Sequence, residues 1–214
     1  MLIELLVIAA VAAVLVWMVV YMRAQKPATS VQRLIQQNRY GEAIAEADRI
    51  LEAGRVDSSA HIDRAEAEKL QGNFEEALRS YRNAMRVDPR DGAPREGIAL
   101  TLTYLGRDLG EARRMMEETM ASFPQIQEFQ ALALAFILLR SGERELALRL
   151  FEDNAVLLQT RFADDYTDPD PLLVETLFHY AQLAREAGQE ERASVLSRRL
   201  IDWAPASIFA RWSG

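Results

Sequence analysis

Gly72 to Pro89 reads GNFEEALRSYRNAMRVDP, and its punctuation decides the fold. A turn-favouring Gly-Asn pair opens it, Phe74 follows, small residues stand at Ala77 and Ala84 with Tyr81 between them, and Pro89 closes it. Alone it predicts one amphipathic helix. The pattern returns, however: small residues recur at Ala43, Ala112, Ala147 and Ala193, at intervals of 34, 35, 35 and 46 residues around Ala77. Five residues before these anchors stand Asn38, Gly72, Gly142 and Gly188, with Gly106 one place further off. Twelve before them stand Ala65, Ala135 and Ala181, with Ala99 one place further off; twelve after them stand Pro89, Pro124 and Pro205. A shared period of this kind marks stacked repeats.

Each unit predicts two helices. The first ends at the Gly, which adopts the left-handed conformation a helix terminus needs. The second begins near FEEA or YGEA, where carboxylates in the first turn complement the helix dipole, and stops at the Pro. The alanines let the two helices cross closely. One such hairpin cannot bury its apolar face, so neighbours must stack.

The pattern resembles the tetratricopeptide repeat (TPR) family, whose unit is 34 residues. The best-matching unit is Ala60–Pro89, carrying Ala65, Gly72, Phe74, Ala77, Tyr81, Ala84 and Pro89 in place. The expected fold is an all-α, TPR-like solenoid over residues 30–205, in about five units with the first partial, and with an insertion at about 156–173. Residues 206–214 form a C-terminal cap, with Ile208, Phe209 and Trp212 covering the last exposed face.

Ahead of the repeats, Leu5 to Met22 is uncharged and apolar. About 20 such residues span a bilayer as a helix. Residues 1–22 are therefore expected to be a transmembrane helix, with Trp17 and Tyr21 at one interface and 23–29 a linker in which Thr29 or Ser30 caps the next helix. Arg23, Lys26, Arg33 and Arg39 follow the span, so the N-terminus is expected outside and the repeats in the cytoplasm. One N-terminal span ahead of a repeat domain resembles bacterial envelope proteins, and that resemblance implies a bacterial-type inner membrane. The alternative is a periplasmic or secreted repeat protein with a processed N-terminal signal. A cleaved signal needs a basic n-region, and no Lys or Arg precedes the apolar run.

The chain of 214 residues has a formal net charge of −7, and Glu4 is the only charge in its first 22 residues. An acidic body argues against nucleic acid as a partner. There is no cysteine and there are only two histidines, His61 and His179, so neither a disulfide framework nor a zinc site is expected, and no cofactor. No Gly-rich phosphate loop, G-x-S-x-G or H-E-x-x-H occurs, so an enzyme is not expected. The acidic run Asp164–Asp170 lacks the Gly and distal Glu of an EF-hand loop.

What remains is a binding surface. The resemblance implies that first helices line a concave groove, with inward residues three before, one after and four after the small alanine. These are Ile62, Glu66 and Lys69; Glu96, Leu100 and Thr103; Leu132, Phe136 and Leu139; and Phe178, Gln182 and Arg185. The Leu132, Phe136 and Leu139 set reads equally as groove or as core. The Lys, Asn and Arg set by which some family members clamp a peptide carboxylate is not reproduced. The expected role is a membrane-tethered scaffold or assembly factor binding a protein or peptide segment in that groove.

Overall fold

The computed structural model describes residues 29–54, 58–122, 127–161 and 171–213. The expected anchor (1–22), most of the linker and the acidic run 164–170 lie outside the described residues. Among the described residues no helix is long and apolar enough to cross a membrane.

The first unit pairs α1 (Ser30–Gln36) with α2 (Tyr40–Glu52), and the second α3 (Ser58–Gln71) with α4 (Phe74–Val87). Then come α5 (Ala93–Leu105) with α6 (Leu109–Ser122), and α7 (Gln127–Arg140) with α8 (Arg144–Arg161). The fifth unit pairs α9 (Pro171–Glu186) with α10 (Glu190–Trp203), and a short α11 (Ile208–Ser213) follows. Thr29, rather than Ser30, caps α1: its Oγ1 accepts from Gln32 N (3.0 Å) and Gln32 Oε1 accepts from Thr29 N (3.2 Å), a reciprocal capping box.

The backbone explains the periodic glycines. Asn38, Gly72, Gly106, Gly142 and Gly188 all have positive φ, between 59° and 89°, at the end of each first helix. Four of the five are glycine because this conformation costs no side-chain clash there; Asn38 is the non-glycine type that best tolerates it. The anchor alanines Ala43, Ala77, Ala112, Ala147 and Ala193 are each completely buried, as the close crossing of paired helices requires.

Each helix packs on the next, and the odd-numbered helices also pack directly on one another in the order α1, α3, α5, α7, α9. Among the described residues no comparable run joins the even-numbered helices, so the odd ones line the inside of the curve. Gly97 on α5 is one point of closest approach: a Cβ there would lie 2.4 Å from the buried Tyr81 ring on α4.

The cap does more than cover the last unit. α11 packs on α10 and α9 and also on α3, where Arg211 and Gln71 meet from 140 residues apart in sequence. Ile208 lies against Gly72, and Arg211 Nη2 donates to Gln71 O (3.1 Å). Asn38 Nδ2 donates to Trp203 O (3.2 Å), joining the first unit to the end of the fifth. The inner wall therefore closes into a ring of α3, α5, α7, α9 and α11.

Candidate functional site

Ring closure divides the expected groove into two cavities with a partition between them. The partition is built from polar and aromatic side chains that only the curved stack brings together. Lys69 on α3, 2% exposed, donates from Nζ to Glu175 Oε2 on α9 (2.6 Å) and lies 2.9 Å from Glu66 Oε2. Tyr81 donates its hydroxyl to Glu66. Tyr104 on α5 donates to Glu175 Oε1 (2.6 Å). That spends its only hydroxyl proton on the stronger acceptor, so the His179 ring 2.6 Å away presents Nε2–H to the Tyr104 oxygen. A continuous hydrogen-bonded chain then runs from His179 through Tyr104, Glu175, Lys69 and Glu66 to Tyr81.

Burial and the two carboxylates around Lys69 set the titration of that chain's members in opposite directions. Burial opposes the Lys69 charge, but Glu175 and Glu66 outweigh it and hold the ammonium well above its ordinary pKa. Burial lowers His179 to about 3, helped by the Lys69 charge, so the imidazole is neutral. Burial, then the Glu175 charge, raises the Tyr104 phenol. Phe136 stacks on His179 with ring centroids 4.3 Å apart and completes the partition.

On one side, at the C-terminal ends of the inner helices, lies an aromatic cavity of about 590 Å³. Tyr104, Phe136, Phe178 and Trp212 form its walls, and Leu139, Arg140, Gln182 and Glu186 its rim. Trp212, 44% exposed, packs on Phe74, Tyr104, Phe178 and Phe209. On the other side, at the N-terminal ends of α5, α7 and α9, lies an acidic cavity of about 370 Å³. Its lining includes Glu66, Lys69, Glu96, Leu100, Gln130 and Glu175. Burial, partly offset by a hydrogen bond from Gln130, raises the Glu96 pKa.

Of the residues expected along the groove, Phe136, Leu139, Phe178 and Gln182 meet in the aromatic cavity, and Glu66, Glu96, Lys69 and Leu100 in the acidic one. Thr103 and Leu132 line neither; they are buried between helices, and Thr103 bonds back to Ala99 O (2.8 Å). Ile62 packs half-buried against the core, and Arg185 is exposed outside both cavities. The sequence reading missed Tyr104, Phe129 and Glu175. Phe129 lies three before Leu132 and Glu175 three before Phe178, so extending those two stripes by a turn finds them, whereas Tyr104 adjoins Thr103 and stands four residues, one helical turn, after Leu100. Among the described residues no group of three or more acidic, His or Cys side chains is placed to hold a metal.

Comparison with protein-family models gives no match, and comparison with curated proteins gives none either. Solved structures do match in fold. MamA is similar with a TM-score of 0.53 at 10% identity, covering 84% of this chain and 97% of that one. A Podosopora anserina protein with nearly identical TPR-like repeats, of kinesin-light-chain type, has a TM-score of 0.52 at 16% identity, covering 80% and 90%. At these identities the likeness establishes the fold alone: an all-α, TPR-like solenoid.

Proposed function

We propose that this protein is a membrane-tethered scaffold that holds a segment of a partner protein at the inner face of its repeats. The observation that carries the reading is the aromatic cavity: four aromatic side chains converge on one opening, with the half-exposed Trp212 at its edge and charged groups on the rim. Binding hot spots favour this composition, because large rigid rings bury much area at little entropic cost. Binding, not bond-making chemistry, is the role such a surface serves.

The tether is proposed from the apolar run Leu5–Met22, with the N-terminus outside and the repeats in the cytoplasm on the strength of Arg23, Lys26, Arg33 and Arg39. Confinement to the bilayer raises the effective concentration of a partner located there.

The test places a photo-crosslinking amino acid at Gln182, on the cavity rim, and at Glu117, exposed on α6, in native membranes. A discrete adduct is expected from Gln182 and none from Glu117, and Trp212→Asp should abolish it without loss of helicity. Equal adducts from both positions, or an adduct indifferent to Trp212→Asp, would remove the inner face as the binding surface. Deleting residues 1–22 should release a folded protein from the membrane fraction; retention there would rule out the proposed tether.

A further inference from the structure

The wall of the aromatic cavity that carries Trp212 is the least anchored part of the ring. The inner helices α3, α5, α7 and α9 each pair with the second helix of their own hairpin. α11 has no such partner among the described residues, and its six residues are far too few for a helix to hold alone. Its end is capped from within the segment: Ser207 Oγ donates to Ala204 O (2.8 Å) and accepts from Ala210 N (3.1 Å), so turn and cap travel with it. Across the seam to α3 it is held by Arg211 Nη2 on Gln71 O (3.1 Å) and by Ile208 on Gly72.

What α11 carries is part of the cavity's frame. The fully buried Phe209 side chain bridges two walls, its centroid 5.2 Å from that of Tyr104 and 5.2 Å from that of Phe178. Trp212 lies 6.0 Å from Tyr104, 5.8 Å from Phe178 and 5.6 Å from Phe74. With α11 undocked, Tyr104 and Phe178 lose the bridge between them and the mouth loses Trp212. The cavity is therefore a property of the closed ring, not of the repeats.

The seam has a steric key. Gly72 has φ 89°, and a Cβ there would stand 3.2 Å from Ile208 Cγ1 and 3.3 Å from Ile208 Cδ1. Gly106, Gly142 and Gly188 end the equivalent helices with φ of 67°, 84° and 76°, yet a Cβ on any of them would meet nothing within 4 Å. Backbone conformation favours glycine at all four; of these, Gly72 is the one that also makes room for another segment.

Resting on the proposal that the aromatic cavity is the binding surface, we infer that α11 is a strap that opens and closes this site. Gly72 and Ile208 are its positioning residues, and neither lines the cavity they control. The closed strap builds the site. A partner segment seated there holds the strap closed in turn, because a ligand that binds one of two states shifts the equilibrium toward it.

The test uses the full chain in non-ionic micelles with 5-fluorotryptophan, Trp212 being read by fluorine NMR and assigned with Trp212→Phe. The Gln182 adduct in native membranes is the second readout. Gly72→Leu should move the Trp212 resonance toward that of free 5-fluorotryptophan and lower the adduct about fivefold, as the closed fraction falls. Gly142→Leu meets the same backbone cost in open space and should move neither. Gly72→Leu with Ile208→Ala makes room for the new side chain and should recover most of both signals. Ile208→Asp, which leaves every hairpin intact, should act as Gly72→Leu does and settles the question should that variant not fold. Identical behaviour of the two leucine variants would make the effect backbone strain and overturn the inference. So would a Trp212 resonance that both seam variants leave in place, or an adduct that survives once the resonance has moved. An adduct kept by the seam variants removes the strap alone, whereas no Gln182 adduct in wild-type membranes removes the scaffold reading and the strap with it.

Discussion

Replacing Lys69 with Met tests ring closure most directly. The variant keeps most of the stem and removes the ammonium that joins α3 to α9. Glu175 is then left 13% exposed and Glu66 24% exposed, with no counter-charge between them. Removing one partner of a buried ion pair costs about 3–5 kcal/mol. The abandoned Glu175 has an escape that caps the loss: it can take up a proton. At pH 7, protonating a carboxyl of ordinary pKa near 4.3 costs about 3.7 kcal/mol, whereas at pH 5 it costs about 1 kcal/mol. In the variant the folded carboxyl therefore has a raised pKa, and the folded state gains protons relative to the unfolded as pH falls. Urea denaturation of the full chain in micelles, followed by tryptophan fluorescence, should give a deficit of about 3–4 kcal/mol at pH 7 that shrinks to about 1 kcal/mol at pH 5. Lys69→Met with Glu175→Gln should recover most of it. A deficit below about 1 kcal/mol at pH 7, or one unchanged by pH and by the second substitution, would mean that α3 and α9 do not meet through this pair.

Three further outcomes follow from packing and titration. Gly97→Ala puts a methyl into the Tyr81 ring and should cost about 1–3 kcal/mol, measured by thermal melting, with Tyr81→Leu in the same chain restoring part of it. Phe209→Ala, at a fully buried ring, should cost about 3–5 kcal/mol, whereas Trp212→Ala, 44% exposed, should cost about 1 kcal/mol and lose the Gln182 adduct. His179 falls from its ordinary 6.5 to about 3 on folding, so its contribution is fully present above pH 6.5 and is lost as pH falls toward 3. That loss is at most about 5 kcal/mol, and His179→Gln should flatten the acid limb of the stability profile in that window.

The repeat was legible because its determinants are local. A left-handed residue at the end of each first helix, an alanine at each crossing and a carboxylate in each second-helix first turn act within a few residues, so one period carries them through the chain. The site was legible only in part. The stripe implied by the TPR resemblance picked Phe136, Phe178, Glu66 and Lys69, since its spacing keeps to a single helical face. It could not say that the inner face would be divided, since that depends on how far the stack curves. Curvature sums small rotations over five units, and a pairing such as Lys69 with Glu175 appears in the sequence only as two charges 106 residues apart. The cap's second contact was hidden for the same reason: residues 206–214 are adjacent in sequence to the last unit, and nothing local announces that Ile208 will rest on Gly72.

Closure changes what kind of object the repeat is. In an open solenoid each unit touches only its neighbours, and the ends fray because each lacks a partner on one side. Here the ends serve as partners for each other: α11 lies on α3, and Asn38 bonds the carbonyl at the end of α10. A loss at either end should therefore be felt at both, so removing α11 should raise amide exchange in α3 as well as in α10. The same closure explains the polar interior. Where the five inner helices meet, a hydrogen-bonded chain lies between the two cavities and leaves Lys69 paired with Glu66 and Glu175. Glu96 and Gln130, joined by a long hydrogen bond of 3.4 Å, lie off that chain.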